Sequence, residues 1–146
     1  MANFIYNESK RAIAAAEQDY DAPDDFRVLL NMTDTTVDTE DDVNTISAFT
    51  TLDEYDGAGY ARQALAGDAL GEDAGNNRAE YDANDSVFSG LGVGTRQAQN
   101  HLMLEHVTND TDSVPIVFGD TGGYPFDGNG GDVTIQWNAE GIIQFA

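Results

Sequence analysis

The sequence predicts a mainly β protein, an antiparallel β-sandwich or barrel preceded by a short N-terminal α-helix. Three observations on the 146-residue chain lead there. Helical character is confined to the opening segment. Beyond it the chain breaks into short apolar runs bounded by Gly, Asn and Asp clusters, the rhythm of sandwiches and barrels. The strongest of these runs alternate with a period of two, as half-buried antiparallel strands do.

The helix is expected within ANFIYNESKRAIAAAEQDY, with Asn3 as N-cap and an alanine-rich body from Ala12 to Ala16. Phe4, Glu8, Ala12 and Ala16 form one i, i+4 row flanked by Ile5 and Ile13, a narrow apolar stripe able to dock. Pro23 fixes the backbone where this segment ends. It divides the chain into an N-terminal helical segment, 1–22, and a β-sandwich domain, 23–146.

FRVLLNM opens the β region, with Val28, Leu30 and Met32 on one face. An acidic loop, DTTVDTEDDV, follows it. TISAFTTLDEY, YARQAL, RAEYDA and SVFSGL read as short strands ended by turn signals, and GLGVGT reads as a flexible turn. NHLMLEHV and PIVFG are the next strands. DVTIQW and GIIQF close the series, joined across Asn138-Ala139-Glu140, with Val133, Ile135 and Trp137 sharing one side.

Twenty-seven acidic residues against six basic ones give a formal charge of -21, and Lys10 is the sole lysine. At about 0.1 M salt exposed charges interact across roughly 10 Å, whereas in molar salt that distance falls to about 3 Å. A carboxylate-coated domain therefore suits brine, and the composition implies a salt-loving host. The acids are interleaved with apolar runs along the whole chain, unlike an acidic disordered tail. Nucleic acid is an unsuitable partner, because phosphate binding draws its free energy from Lys and Arg displacing counterions. No apolar run approaches the roughly 20 residues of a membrane span, and no signal-peptide core opens the chain. Cysteine is absent, which removes disulfides, thiolate metal sites and cysteine nucleophiles.

Several motifs resemble reactive or binding sites. Asp120-Thr121-Gly122 matches the turn that presents a carboxylate in aspartic proteases, where two such groups share a proton. Gly119, Gly122, Gly123 and Pro125 around it also spell a plain turn. Asp127-Gly128-Asn129-Gly130-Gly131-Asp132 opens like a calcium loop, but Gly131 sits at the fifth ligand position and Asn138 stands where the bidentate Glu belongs. A hairpin turn at Asn129 fits better. Asp82, Asp85, Asp127 and Asp132 are thus weak cation candidates, with no dedicated metal site and no cofactor expected. Gly90, Gly92 and Gly94 break the phosphate-loop spacing. His101 and His106 lie five apart, on opposite faces of a strand, which suits two unrelated histidines rather than one metal. No Ser sits in a nucleophile elbow.

The opening MANFIYNESKRAIAA resembles the start of a group of small tailed-phage virion proteins that begin with MANFIYN or a close variant. FRVLLNM stands where that group has a strand of the type IKVALV. YDANDSVFSGLG and GGDVTIQWNAEGIIQF resemble its central and terminal segments. The similarity runs in patches over most of the chain and is most specific at its ends. It implies a non-enzymatic virion structural protein, made in the host cytoplasm, that assembles with itself and with other virion proteins such as the major capsid protein. The chain's acidity departs from the group and implies a haloarchaeal tailed virus. It also points to the capsid exterior, as a decoration or turret subunit, since carboxylates repel packaged DNA. A tail or connector ring of the same virion is the alternative. A D-T-G aspartic hydrolase or a cation-binding β-module of the host is the second. Phe4, Ile5 and Ile13 on the helical stripe, with Ile142, Ile143 and Phe145 near the C-terminus, are the candidate oligomer or capsid contacts. The other reading of these six is packing within their own domain.

Overall fold

The computed structural model describes residues 3–21 and 25–146. Pro23, and with it the expected boundary at 22/23, lies outside the described residues. Ten strands and one α-helix follow in chain order: β1 (Phe4–Ile5), α1 (Asn7–Ala14), β2 (Phe26–Met32), β3 (Gln63–Ala64), β4 (Ala69–Asp73), β5 (Arg78–Asp82), β6 (Ser86–Leu91), β7 (Ala98–Glu105), β8 (Val114–Gly119), β9 (Gly131–Ile135) and β10 (Ile143–Phe145). The fold is mainly β and sandwich-like. A five-stranded sheet runs β1-β8-β7-β2-β3, accompanied by a three-stranded sheet β10-β5-β4 and a two-stranded pair β6-β9. Every pairing among these strands is antiparallel.

The main sheet is covered on both faces, so its central strands read as nearly continuous apolar runs rather than clean alternations. Leu29 of β2, Leu102 and Leu104 of β7 and Phe118 of β8 point to one face, where Tyr6, Val37, Ile46 and Phe49 close over them. Val28, Leu30 and Met32 point to the other, against Phe88 and Leu91 of β6 and Ile135 of β9. Met103 and Val117 share that second face with Tyr81 of β5 and Ile143 of β10. Each fully buried aliphatic side chain contributes roughly 1.5–3 kcal/mol by leaving water. Among the described residues no helix is long and apolar enough to cross a membrane.

Three elements differ from the sequence-based expectation. The helix starts at Asn7, with Tyr6 rather than Asn3 at its N-cap and no side-chain cap bond. Phe4 and Ile5 are extended instead and pair with Phe118 and Val117. Phe4 stacks on Phe118 at 5.1 Å, and Ile5 packs with the cluster on the opposite face, so two-residue alternation outweighs the helical row. Phe4 and Ile5 therefore contribute a strand to the main sheet of the β domain. TISAFTTLDEY forms a 3-10 turn, Ile46–Ala48, followed by irregular extended chain. Its apolar residues Ile46, Phe49 and Leu52 recur every three positions, which makes a lid over Leu29 and Leu102 and not a strand. Finally, β9 pairs with β6 while β10 pairs with β5, so the turn after Trp137 carries the chain from one small sheet to the other.

Candidate functional site

β7 pairs with both β2 and β8, and this registers His101 opposite Leu30 on one side and Gly119 on the other. The imidazole lies over Gly119, where a Cβ would stand 2.4 Å from Nε2. Glycine at 119 is thus required by close approach. His101 Nδ1 is 3.0 Å from the Tyr124 hydroxyl, and the ring meets Trp137 edge-on at 5.3 Å between centroids. Burial pushes the His101 pKa down to about 4, opposed in part by the charge of Asp120. Burial also raises the Tyr124 phenol above its ordinary range. Near neutral pH both rings are uncharged.

Trp137 reaches His101 because β9 ends at Ile135 and Asp85 holds the next stretch of backbone, its Oδ1 accepting the Trp137 N–H at 3.0 Å. A tight turn then follows, in which the Glu140 N–H donates to Asn138 Oδ1 and the Gly141 N–H to the Asn138 carbonyl. The Ile142 N–H donates to the Tyr81 carbonyl and starts the approach to β10. Between this turn and the main sheet lies a cavity of ≈ 390 Å³, walled by His101 and Val117 on the sheet side and by Gln136, Trp137, Asn138, Ile142 and Gln144 opposite. Asn3, Ile5, Thr121 and Gly122 complete the rim. Among the described residues that line it, none is Asp, Glu, Lys or Arg. Trp137 Nε1 is buried with no hydrogen-bond partner among the described residues.

Asp120 of the D-T-G motif follows β8 directly, and Thr121 and Gly122 border the same cavity. The Asp120 N–H and the Thr121 hydroxyl donate to Asn3 Oδ1 at 3.3 and 3.4 Å, and Gly122 and Gly123 turn the chain with φ of 93° and 113°. His106 lies elsewhere, with Nδ1 3.5 Å from the Ser113 hydroxyl.

The four cation candidates serve the backbone or stand apart. Asp127 accepts from the Gly94 N–H at 3.0 Å and the Tyr55 hydroxyl at 2.8 Å, bonds that hold its carboxyl below the usual range. Asp132 accepts from the Gly90 N–H at 2.9 Å, and Asp85 from Trp137 as above. Asp82 is half-buried on β5 with an Oδ1 that accepts no bond from the described residues. The expected hairpin turn at Asn129 is not one between adjacent strands: it leads from the Ala98–Phe126 bridge into β9. The glycines nearby are needed for contact, since a Cβ at Gly128 would stand 2.1 Å from the Gly92 carbonyl oxygen. Three carboxylates that do converge, Asp73, Glu80 and Glu140, have ligand atoms within 4.8 Å of one another. Arg78 already occupies the place of a cation there, bonded to Glu80 at 2.5 Å, to Asp73 at 3.3 Å and to Glu140. Their distance in sequence hid this cluster from motif reading.

No family model, curated protein or solved structure matches the chain.

The six apolar contact candidates pack in their own domain. Ile143 is 1 % exposed and cannot offer a contact face in this conformation. Phe4, Ile5, Ile13, Ile142 and Phe145 are half-buried against the core. Among the described residues the large apolar side chains left in the open are instead Leu70, Val87, Val93 and Val107. Val87 sits on the exposed side of β6, beside the buried Phe88, two faces left unseparated in the sequence-based expectation. All five arginines bond carboxylates of the chain itself: Arg11 with Glu8 and Glu17, Arg27 with Asp25, Arg62 with Glu54 and Asp110, Arg78 as described, and Arg96 with Asp53.

Proposed function

We propose that the chain is a structural subunit of a tailed-virus particle from a haloarchaeal host, carried on the capsid exterior as a decoration or turret subunit. It acts by assembly with its own copies and with other virion proteins such as the major capsid protein. The observation that carries this reading is the meeting of the two chain ends. The opening and terminal stretches, which bear the most specific resemblance to small phage virion proteins, come together around the cavity through Asn3 and Ile5 on one side and 136–144 on the other.

Charge supports the exterior position. Every arginine is engaged by neighbouring carboxylates, so the described residues offer no basic face for packaged DNA in a chain of formal charge -21. Gold-labelled antibody against this chain, applied to intact particles in molar salt, tests the placement. Label distributed over the head is expected. Label confined to the tail or connector selects the alternative position, and label appearing only on disrupted particles contradicts an exterior subunit.

A further inference from the structure

We propose that the cavity over Trp137 is a binding site for a neutral saccharide. This inference stands apart from the viral reading and rests on the chemistry of the lining. Its volume of ≈ 390 Å³ falls within the range of roughly 300–1,000 Å³ common to small-molecule sites. Charged residues make up 23% of the chain, yet none is found among the described residues of the lining. Side-chain amides take their place, at Asn3, Gln136, Asn138 and Gln144. Each amide both donates and accepts, the pairing that hydroxyl groups require.

Part of this capacity is unspent. The Gln136 side chain makes no hydrogen bond to the described residues and the Asn3 and Asn138 side chains use only their oxygens, whereas Gln144 is already paired with the Glu140 carbonyl and with Arg78. Trp137 takes part through its ring and not its N–H, since Nε1 is sealed from the cavity and has no partner among the described residues. The indole and the half-buried Ile5 and Ile142 supply apolar surface for the C–H face of a sugar ring. The frame is set before binding: Asp85 fixes the Trp137 backbone and His101 packs edge-on against the indole.

Other ligand classes fit less well. A carboxylate or phosphate would approach a chain of charge -21 and meet no cation in the lining. A metal cation would find no carboxylate among the described lining residues, and a wholly apolar ligand would leave the Asn3, Gln136 and Asn138 amides unpaired. A neutral, hydroxyl-rich molecule pairs with the open groups of Asn3, Gln136 and Asn138.

Trp137 is the only tryptophan, so its emission reports on the cavity without a label. The full chain in molar salt is titrated with glucose, galactose, mannose, N-acetylglucosamine and their disaccharides, with glycerol and glucuronate as controls. A saturable change of Trp137 emission with at least one neutral sugar is expected, weakened about tenfold or more in Gln136→Ala, an exposed substitution. Glycerol and glucuronate should leave the signal flat. No saturable response to any sugar, an equal response to the controls, or full affinity in Gln136→Ala overturns the proposal. So does an emission change that follows protein concentration alone, which assigns the cavity to contacts between copies of the chain.

Discussion

His101 fills the space that a side chain at Gly119 would occupy, with Nε2 2.4 Å from the position of the missing Cβ. Position 119 does not adopt a positive φ, so alanine there meets no backbone penalty and acts only by crowding the ring. Gly119→Ala is expected to cost about 1–3 kcal/mol, the usual price of overpacking, and to shift Trp137 emission as the imidazole is pressed toward the indole. Denaturant unfolding in molar salt, followed by fluorescence, measures both. Unchanged stability and emission would show that the ring is not confined.

The buried imidazole also sets a pH dependence. Its pKa falls from an ordinary 6.5 to about 4 in the fold, so between these values the unfolded chain binds the extra proton. Stability is complete above pH 6.5 and declines as pH falls toward 4, by about 3 kcal/mol in all. Carboxylates held below their usual range, such as Asp25 and Asp127, lose their contribution only below this window. Unfolding free energies across the interval, compared with those of His101→Gln, isolate the effect. The variant should lack the decline, and an identical slope in both proteins contradicts the assignment to His101.

How much of this was legible in the sequence follows from the range of the forces involved. The strands β2, β6, β7 and β8 announce themselves as short apolar runs ended by turn residues, because burial on one or both faces of a sheet demands them. β4 escaped notice: ALGED has a single large apolar residue, Leu70, and exists as a strand because the turn bonded through Asp73 brings it to β5. The MANFIYN opening carries a helical row as well as an alternating pair, and only Phe118 and Val117 on a distant strand decide between them. Trp137 was visible on one side of its strand and His101 as a lone histidine. Their meeting depends on a chain crossing between sheets that no local pattern encodes.

Ala16 ends α1 in the left-handed region, with φ of 55°, while the Glu17 N–H bonds the Ala12 carbonyl and the Ala16 N–H the Ile13 carbonyl. Glycine is the usual residue at this position of such a cap, because a Cβ is strained there. Ala16→Gly should raise stability by about 0.5–1 kcal/mol, read from the denaturant midpoint. A loss of stability would mean that the cap conformation differs in solution.

Acidic crowding is a physical feature of the fold and not only of the composition. The charges of Asp38, Asp41 and Glu40 add to burial in raising the Tyr6 phenol, whose hydroxyl donates to the Val37 carbonyl. Lowering salt from about 1 M to about 0.1 M lengthens the screening distance from about 3 to about 10 Å and restores repulsion within such clusters. Melting temperature and oligomer mass are both expected to fall on dilution. Constancy of the two across that range contradicts adaptation to brine.

The central claim, that this chain works as part of a virus particle, is tested most directly by its copy number in gradient-purified infectious particles, measured by quantitative mass spectrometry. An exterior subunit of the capsid lattice predicts hundreds of copies per particle, and vertex turrets predict dozens. Absence of the chain from infectious particles would contradict the account.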